Sequence, residues 1–257
     1  ECQSQGHYPF PGVTREIEVF KVSKASGARD RLESAGSLTR LIGRHDELSL
    51  LFAMWNEVLH VSLRTVLLRG EAGVGKSRLL LALKTALRGQ GCVVRELRCF
   101  PEHQQSPFYP LAIMYSEVLG FRPEDTPEAR FQKLAEYVGS DYANQDPDIV
   151  PLMAKMLSLP LCEPYREPSC SVLQQREKTL GILIERIFQL AEQQPFLMLV
   201  DDLHWADPST LEFLRMFVAQ RRKAPILAVL TARNEFLPPW PGRCVHSIEI
   251  AALSDAD

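Results

Sequence analysis

The chain has 257 residues, of which 46% are hydrophobic and 24% are charged, the composition of an ordinary globular protein with one large core or one core and a small appendage. Its formal net charge is −3, so the excess of basic residues typical of nucleic-acid-binding proteins is missing. No apolar run approaches the roughly 18 residues of a membrane-spanning helix, and the N-terminus has no signal-peptide pattern. We therefore expect a cytoplasmic protein that does not enter a membrane or favour nucleic acid.

The six cysteines are scattered along the chain and form neither a C-x-x-C pair nor a set with paired histidines. This spacing does not predict a zinc site. Reduced thiols of a cytoplasmic protein are the interpretation that fits a chain of this length.

The first 37 residues differ from the rest of the chain. Glu16–Val22 alternates between polar and apolar residues, which predicts one strand, and a polar, charged stretch follows it. Because a single strand cannot fold alone, we interpret it as the last strand of a domain whose other strands lie outside the chain. The predicted domains are therefore a tail and linker over residues 1–37 and a second domain over residues 38–257.

A helix is predicted over Asp46–Val61, where apolar residues recur at helical spacing. The residues before it, Leu41-Ile42-Gly43-Arg44 followed by Glu47, match the pattern hydrophobic-hydrophobic-Gly-Arg-x-x-Glu. The simplest interpretation of Arg44 and Glu47 is that they are polar residues at a helix start, and a role beside a ligand is the alternative.

The stretch Thr65–Leu81 carries the strongest motif. A strand over Thr65–Leu68 leads into Gly70-Glu71-Ala72-Gly73-Val74-Gly75-Lys76-Ser77, and a helix over Ser77–Arg88 follows. Glycines let backbone N–H groups approach phosphate oxygens at a helix N-terminus, which already favours an anion. Lys76 supplies a charge for the β and γ phosphates, and the Ser77 hydroxyl is a Mg²⁺ ligand. A glycine-rich turn that merely joins a strand to a helix is the weaker alternative.

We predict that the whole loop and the residue after it contact the nucleotide. These residues are Gly70, Glu71, Ala72, Gly73, Val74, Gly75, Lys76, Ser77 and Arg78. The predicted cofactors are ATP and Mg²⁺.

The middle of the chain contains predicted structure but no catalytic pattern. A second strand is predicted over Cys92–Arg98, and the turn at 105–110 leads into a helix. Two short helices are predicted over Pro127–Tyr137 and Pro147–Leu157, and one long helix over Val172–Gln194.

A second functional motif follows that long helix. Phe196–Val200 is continuously apolar, which is typical of a strand covered on both faces in a parallel sheet. Two acids come directly after it, at the end of the strand where ligands bind in such sheets. We predict that Asp201 holds Mg²⁺ and that Asp202 polarises the attacking water. Two acids that simply start a loop are the alternative.

The last third contains further predicted elements. Asp207 or Ser209 caps a helix that includes Leu211–Gln220, and strands are predicted over Pro225–Thr231 and Val245–Ile250. We interpret His204 first as a packing or hydrogen-bonding residue and second as a contact to substrate or partner.

Together these motifs resemble the STAND branch of the AAA-type P-loop NTPases. LVDDLHWAD at Leu199–Asp207 is similar to the Walker B segment of that branch, and the Gly43-Arg44 motif to its segment beside the nucleotide. The resemblance implies an α/β fold, a three-layer αβα sandwich with a parallel five-stranded sheet of the additional-strand type, plus a short N-terminal extension. It also implies that Arg44 and the backbone near Ile42 contact the nucleotide, and that Arg233 reads the γ phosphate.

The segment GVTREIEVFKV at Gly12–Val22 resembles the end of the cyclase domain in multidomain class III adenylate or guanylate cyclase proteins. The combined resemblance implies an ATP-dependent signalling switch that regulates an attached output domain such as a nucleotide cyclase. ATP, ADP and neighbouring domains are the implied partners, and a homo-oligomer is left open. The helical lid expected after Ile250 does not follow in this chain, so we expect ATP hydrolysis with weak turnover.

Three other functions stay open at this point. One is an interaction module that binds ATP without hydrolysing it. Another is a DNA-associated ATPase of the origin-recognition type, against which the net charge counts. The third is a small-molecule kinase, for which no second substrate site is visible.

Overall fold

The computed structural model describes residues 2–10, 15–22, 43–60, 63–139 and 146–253. It divides the chain into two compact units, Glu1–Ile42 and Gly43–Asp257. The predicted contact of Ile42 with the nucleotide falls outside the described residues.

The first unit contains a two-stranded antiparallel sheet. Strand β1 (Cys2–Tyr8) pairs with strand β2 (Ile17–Val22), and the register shifts between Ser4 and Gly6. Strand β2 therefore has a partner within the chain, and the interpretation of β2 as the last strand of a larger domain stays a prediction. Its partner is β1, which sequence analysis did not predict.

The second unit is an α/β sandwich around a parallel five-stranded sheet. Its strands are β3 (Arg64–Arg69), β4 (Val93–Arg98), β5 (Phe196–Asp201), β6 (Ile226–Ala232) and β7 (His246–Glu249). They lie in the order β4-β5-β6-β3-β7, and every pair is parallel. Strands β5 and β6 thus lie between β3 and β4. This confirms the predicted fold class with its additional strand.

Seven α-helices are described in this unit. They are α1 (His45–Val58), α2 (Lys76–Leu87), α3 (Tyr109–Val118), α4 (Pro127–Val138), α5 (Ile149–Met156), α6 (Val172–Gln193) and α7 (Pro208–Val218). Most predicted boundaries agree to within two or three residues. None of these helices is long and apolar enough to cross a membrane.

The helices cover both faces of the sheet. Helices α1 and α2 pack on each other and on β6, whereas α3 packs on β4 and α6 on β5. Successive side chains of a strand point to opposite faces. Accordingly Phe196, Met198 and Val200 belong to the core shared with α3–α7, while Leu197 and Leu199 are fully buried outside that cluster. Burial on both sides explains the continuous apolar run of β5.

One polar cluster ties α2 to the edge strand β4. The Glu96 carboxylate accepts hydrogen bonds from Lys84 Nζ at 2.6 Å and from Arg98 Nη2 at 2.6 Å. We call these three residues the Glu96 cluster. It fixes the helix that follows the phosphate loop against the sheet.

Candidate functional site

The loop between β3 and α2 needs its glycines for two different reasons. A Cβ at Gly70 would lie 2.6 Å from the Ile250 carbonyl oxygen, because the chain leaving β7 crosses directly over this position. Gly73 and Gly75 have φ angles of +83° and +100°, a region that side chains with a Cβ avoid. The loop therefore has the close packing and the backbone shape that its motif predicts.

The N-terminus of α2 is left without a side-chain cap. Gly75 is its N-cap residue, and no acidic residue lies in the first turn. Three other helices are capped by the side chains of Thr126, Ser171 and Asp207. The free N–H groups of a helix start attract anions, so this end of α2 is suited to a phosphate.

Lys76 is the first residue of α2, and its ammonium group folds back over the loop. Its Nζ donates hydrogen bonds to the carbonyl oxygens of Gly70 at 2.9 Å and Glu71 at 2.7 Å. Burial lowers the pKa of Lys76, and the nearby Asp202 and Asp201 oppose that shift. Lys76 is thus bonded to the phosphate loop and close enough to the two acids for their charges to affect its pKa, and its contact with the phosphates stays a prediction.

The two acids lie at the carboxyl end of β5. Asp201 is the last residue of the strand, and its Oδ1 accepts a hydrogen bond from Thr231 Oγ1 at 2.5 Å. Thr231 also accepts a hydrogen bond from the Asp202 backbone N–H at 2.9 Å. A single hydroxyl on β6 therefore holds both acids. Sequence analysis missed Thr231, although a polar residue that ends an apolar strand is a signal that could have revealed it.

Asp202 has an unusual backbone and an unusual acidity. Its φ of 56° and ψ of 46° lie in the left-handed region, which costs a non-glycine residue about 1–2 kcal/mol. Burial raises the pKa of its carboxyl group, as does the neighbouring Asp201. Lys76 and Arg233 act in the opposite direction. Strained residues with shifted acidity are typical of functional sites, so both properties support the predicted role of Asp202.

Arg233 follows β6 at the same edge of the sheet. Its guanidinium carbon lies 5.5 Å from the centre of the Trp205 ring, and its Nη1 lies 4.0 Å from Glu235 Oε1. Its charge influences the pKa of Lys76 and of Asp202. The structure thus brings Arg233 to the predicted edge of the sheet, and its role in reading the γ phosphate stays a prediction.

Arg44 is buried, and its guanidinium group connects three parts of the second unit. Nη1 pairs with Glu47 Oε1 at 2.8 Å, while Nη2 donates to the carbonyl oxygens of Val74 at 2.9 Å and Ala251 at 2.6 Å. The simplest sequence interpretation, two polar residues at a helix start, leaves out the bonds to the phosphate loop and to the chain after β7. A direct contact between Arg44 and the nucleotide stays a prediction.

The other predicted loop residues differ in exposure. Glu71 and Ala72 are exposed, and the Glu71 carboxylate accepts a hydrogen bond from Asn234 Nδ2 at 3.1 Å. Val74 and Arg78 are partly buried, as is Ser77. The loop is therefore tied to the segment after β6 as well as to the segment before α1.

The donor set around the acids is suited to Mg²⁺. In the part of the chain that the structure describes, no group of three or more His, Cys, Asp or Glu side chains could hold a metal ion. Mg²⁺ is usually bound by one or two protein oxygens together with phosphate and water. Ser77 and Asp201, the predicted ligands, carry oxygen donors of that kind, and their binding of Mg²⁺ stays a prediction.

Asp207 has a structural role, as sequence analysis expected. The side chain is buried and its Oδ1 accepts hydrogen bonds from the backbone N–H groups of Ser209, Thr210 and Phe108 at 2.9–3.2 Å. It caps α7 and connects that helix to the turn before α3.

Comparison with known proteins agrees with this geometry. The family profile described as "AAA ATPase domain" matches residues 40–229, about three quarters of the chain. The chain belongs to the AAA ATPase domain family. The match includes the phosphate loop and both acids but ends before Thr231 and Arg233, so those two residues rest on the geometry alone.

One relative of this AAA ATPase domain is an uncharacterized protein of Rhizobium meliloti (strain 1021). It is 28% identical over 239 residues, which are 92% of this chain and 23% of the relative. The chain thus spans about a quarter of that protein's length.

Two solved structures are similar in part. Cdc6p from Pyrobaculum aerophilum has a TM-score of 0.44 and 16% identity, with 82% of this chain and 46% of that chain covered. The Pif1 helicase from Candida albicans has a TM-score of 0.34 and 14% identity, with 83% and 41% covered. Both scores are below the level at which likeness supports a detailed comparison.

Proposed function

We propose that this AAA ATPase domain binds ATP with Mg²⁺, hydrolyses it slowly and works as a switch for an attached output domain. The observation that carries the proposal is the meeting of Lys76, Asp201 and Asp202 at one edge of the sheet. Thr231 holds the two acids there, and burial raises the pKa of Asp202. Three groups with complementary charges beside a bare helix start form a site for a metal-bound polyphosphate.

Each residue has a distinct part in this proposal. The ammonium group of Lys76 gives up its hydrogen bonds to the loop carbonyls and binds the β and γ phosphates instead. The Ser77 hydroxyl and the Asp201 carboxylate hold Mg²⁺, which when bound neutralises charge on the phosphate oxygens. Asp202 accepts a proton from the attacking water, and its raised pKa makes the carboxylate a stronger base than an ordinary aspartate. Arg233 stabilises the charge on the transferred phosphoryl group.

The switch is supported by the contacts of Arg44. This one side chain joins the phosphate loop, through Val74, to the start of α1 and to Ala251 beyond the last strand. A shift of the loop on phosphate binding would therefore reach the segments that connect the domain to its neighbours. The length of the Rhizobium relative is consistent with such neighbours.

The identity of the output domain rests on sequence resemblance alone. The segment Gly12–Val22 resembles the end of a class III cyclase domain, so we propose a nucleotide cyclase as the regulated partner. The slow rate likewise follows from the resemblance to signalling NTPases of the STAND branch.

Steady-state phosphate release from ATP tests the proposed activity. We expect a kcat of about 1 s⁻¹ or lower for the wild-type chain. We expect Asp202→Asn to lower kcat at least about 100-fold, because general-base catalysis contributes about that much. The matched control is Asp125→Asn, which alters a partly buried pair with Lys133 outside the candidate site and should leave kcat unchanged.

Two results would contradict the proposal. A wild-type kcat typical of a fast motor ATPase would contradict the proposal that the domain is a slowly hydrolysing switch. Equal kcat values for the wild type and Asp202→Asn would show that the residual turnover does not arise at this site, and an ATP-binding interaction module would then be the better description.

A further inference from the structure

His204 lies at the candidate site with its polar atoms unpaired. It belongs to the 3₁₀ turn Leu203–Trp205, which follows directly after Asp202. The side chain is 11% exposed, and both ring nitrogens are buried without a hydrogen-bond partner in the described residues. Its backbone carbonyl accepts a bond from Gln104 Nε2 at 3.4 Å.

A purely structural role explains this arrangement poorly. The imidazole packs against Trp205 with ring centres 5.0 Å apart, a contact that an apolar side chain could also make. A buried polar group without a partner destabilises the fold, and such groups in native proteins call for an explanation. A partner that arrives with the ligand, or a shift that ligand binding induces, supplies one.

The imidazole ring lies near the carboxylate of Asp202. His204 Nε2 lies 4.0 Å from Asp202 Oδ1, about 1 Å beyond hydrogen-bond distance. Burial lowers the pKa of His204, as do the charges of Arg233 and Lys76, while Glu235 and Asp201 act against them. The imidazole is therefore neutral at pH 7, with one N–H donor to offer.

We propose that His204 is a positioning residue for Asp202, and that in the nucleotide-loaded site its Nε2–H donates a hydrogen bond to the Asp202 carboxylate. That bond holds one carboxylate oxygen and leaves the other directed at the attacking water. The inference rests on the proposed ATPase function and adds a residue to it. Closing a gap of about 1 Å needs a side-chain adjustment rather than a rearrangement of the turn.

Two substitutions of His204 distinguish hydrogen-bond donation by its ring from packing of the ring. His204→Leu keeps apolar volume and removes the donor, whereas His204→Gln keeps an N–H donor of similar reach. We expect His204→Leu to lower kcat for ATP about 10- to 100-fold with KM changed less than twofold, and His204→Gln to recover most of that loss. The melting temperature of His204→Leu should not fall, because an unpaired polar group is removed. His246→Leu alters an exposed histidine on β7 and should match the wild type.

Each other kinetic result overturns the inference. Unchanged kcat in His204→Leu would mean that the residue only packs. A raised KM with unchanged kcat would mean a direct contact to the nucleotide. Equal losses in His204→Gln and His204→Leu would exclude the donor role.

A second measurement is independent of turnover. NMR of the chain with ¹⁵N-labelled histidine and the imido analogue AMP-PNP with Mg²⁺ should show a slowly exchanging Nε2–H for His204. That signal should disappear in Asp202→Ala. Its absence in wild-type chain saturated with the analogue would overturn the inference, even if no hydrolysis is found. Failure of the analogue to bind, seen by calorimetry, would instead count against the proposed function.

Discussion

Replacing Arg44 with Met should destabilise the domain far more than replacing a less buried arginine in another ion pair. Arg44 is 5% exposed, and its partner Glu47 has a side chain that is 21% exposed. Removing one member of a buried pair costs about 3–5 kcal/mol, because the other is left without compensation. The two carbonyl oxygens of Val74 and Ala251 lose their donor as well.

The expected net loss is about 3 kcal/mol of the free energy of unfolding. This value lies at the lower end of the range of about 3–5 kcal/mol, because Glu47 keeps access to water. The substitution also removes the buried Nε of Arg44, which has no hydrogen-bond partner in the described residues and is itself destabilising. Met retains most of the apolar stem, so cavity formation adds little. For a domain of this size the loss corresponds to a fall in melting temperature of roughly 6–12 °C.

Urea unfolding monitored by circular dichroism measures this difference. The matched control is Arg176→Met, which breaks a 2.6 Å pair with Glu212 whose side chains are 39% and 30% exposed. An exposed pair contributes about 1 kcal/mol or less. Equal losses in the two variants would refute the reasoning, since the larger expected loss comes from the burial of Arg44 and from its three partners.

Two further predictions concern the supports of the phosphate loop. Gly70→Ala should destabilise the chain and weaken ATP binding, because the new Cβ would lie 2.6 Å from the Ile250 carbonyl oxygen. Gly181→Ala in helix α6 should instead stabilise the chain by about 0.5–1 kcal/mol, because the new Cβ would meet nothing within 4 Å outside its own helix backbone. Thermal unfolding of both variants checks the opposite signs, and two losses of similar size would contradict them. Burial acts to raise the pKa of Glu96, but hydrogen bonds from Lys84 and Arg98 outweigh it and lower that pKa below its ordinary value of 4.5. The Glu96 carboxylate therefore stabilises the fold above pH 4.5. This stabilisation is lost as the pH falls through the lower pKa of the folded state. Glu96→Gln should therefore lower stability at pH 7 and flatten the acid limb of the stability profile, and a parallel shift at every pH would contradict the assignment.

Periodicity and motif were sufficient to predict most of the second unit. The apolar run of β5 and the glycine pattern before α2 each have one ready physical interpretation, a buried strand and a phosphate loop. Strand β1 was missed because Cys2–Tyr8 contains a glycine and few strongly apolar residues, and because its register shifts at Ser4. Such a strand is defined by its partner rather than by its own pattern.

The candidate site was predicted less completely, because part of it depends on contacts that are distant in sequence. The bond from Arg44 to Ala251 spans 207 positions, and no local pattern contains it. The sequence shows Thr231 only as a polar residue at the end of a strand, whereas the structure shows that its hydroxyl donates a hydrogen bond to Asp201. A role for His204 at the site became apparent only from the burial of both ring nitrogens, which its neighbours in sequence do not predict.

Titration calorimetry with ATP and Mg²⁺ tests the central claim most directly. We expect saturable binding of one ATP per chain by the wild type, and at least tenfold weaker binding by Lys76→Ala, because the variant loses the ammonium group that contacts the phosphate loop. Lys223→Ala, at an exposed lysine after α7, is the matched control and should bind like the wild type. No binding by the wild type, or equal affinity of the wild type and Lys76→Ala, would contradict the account.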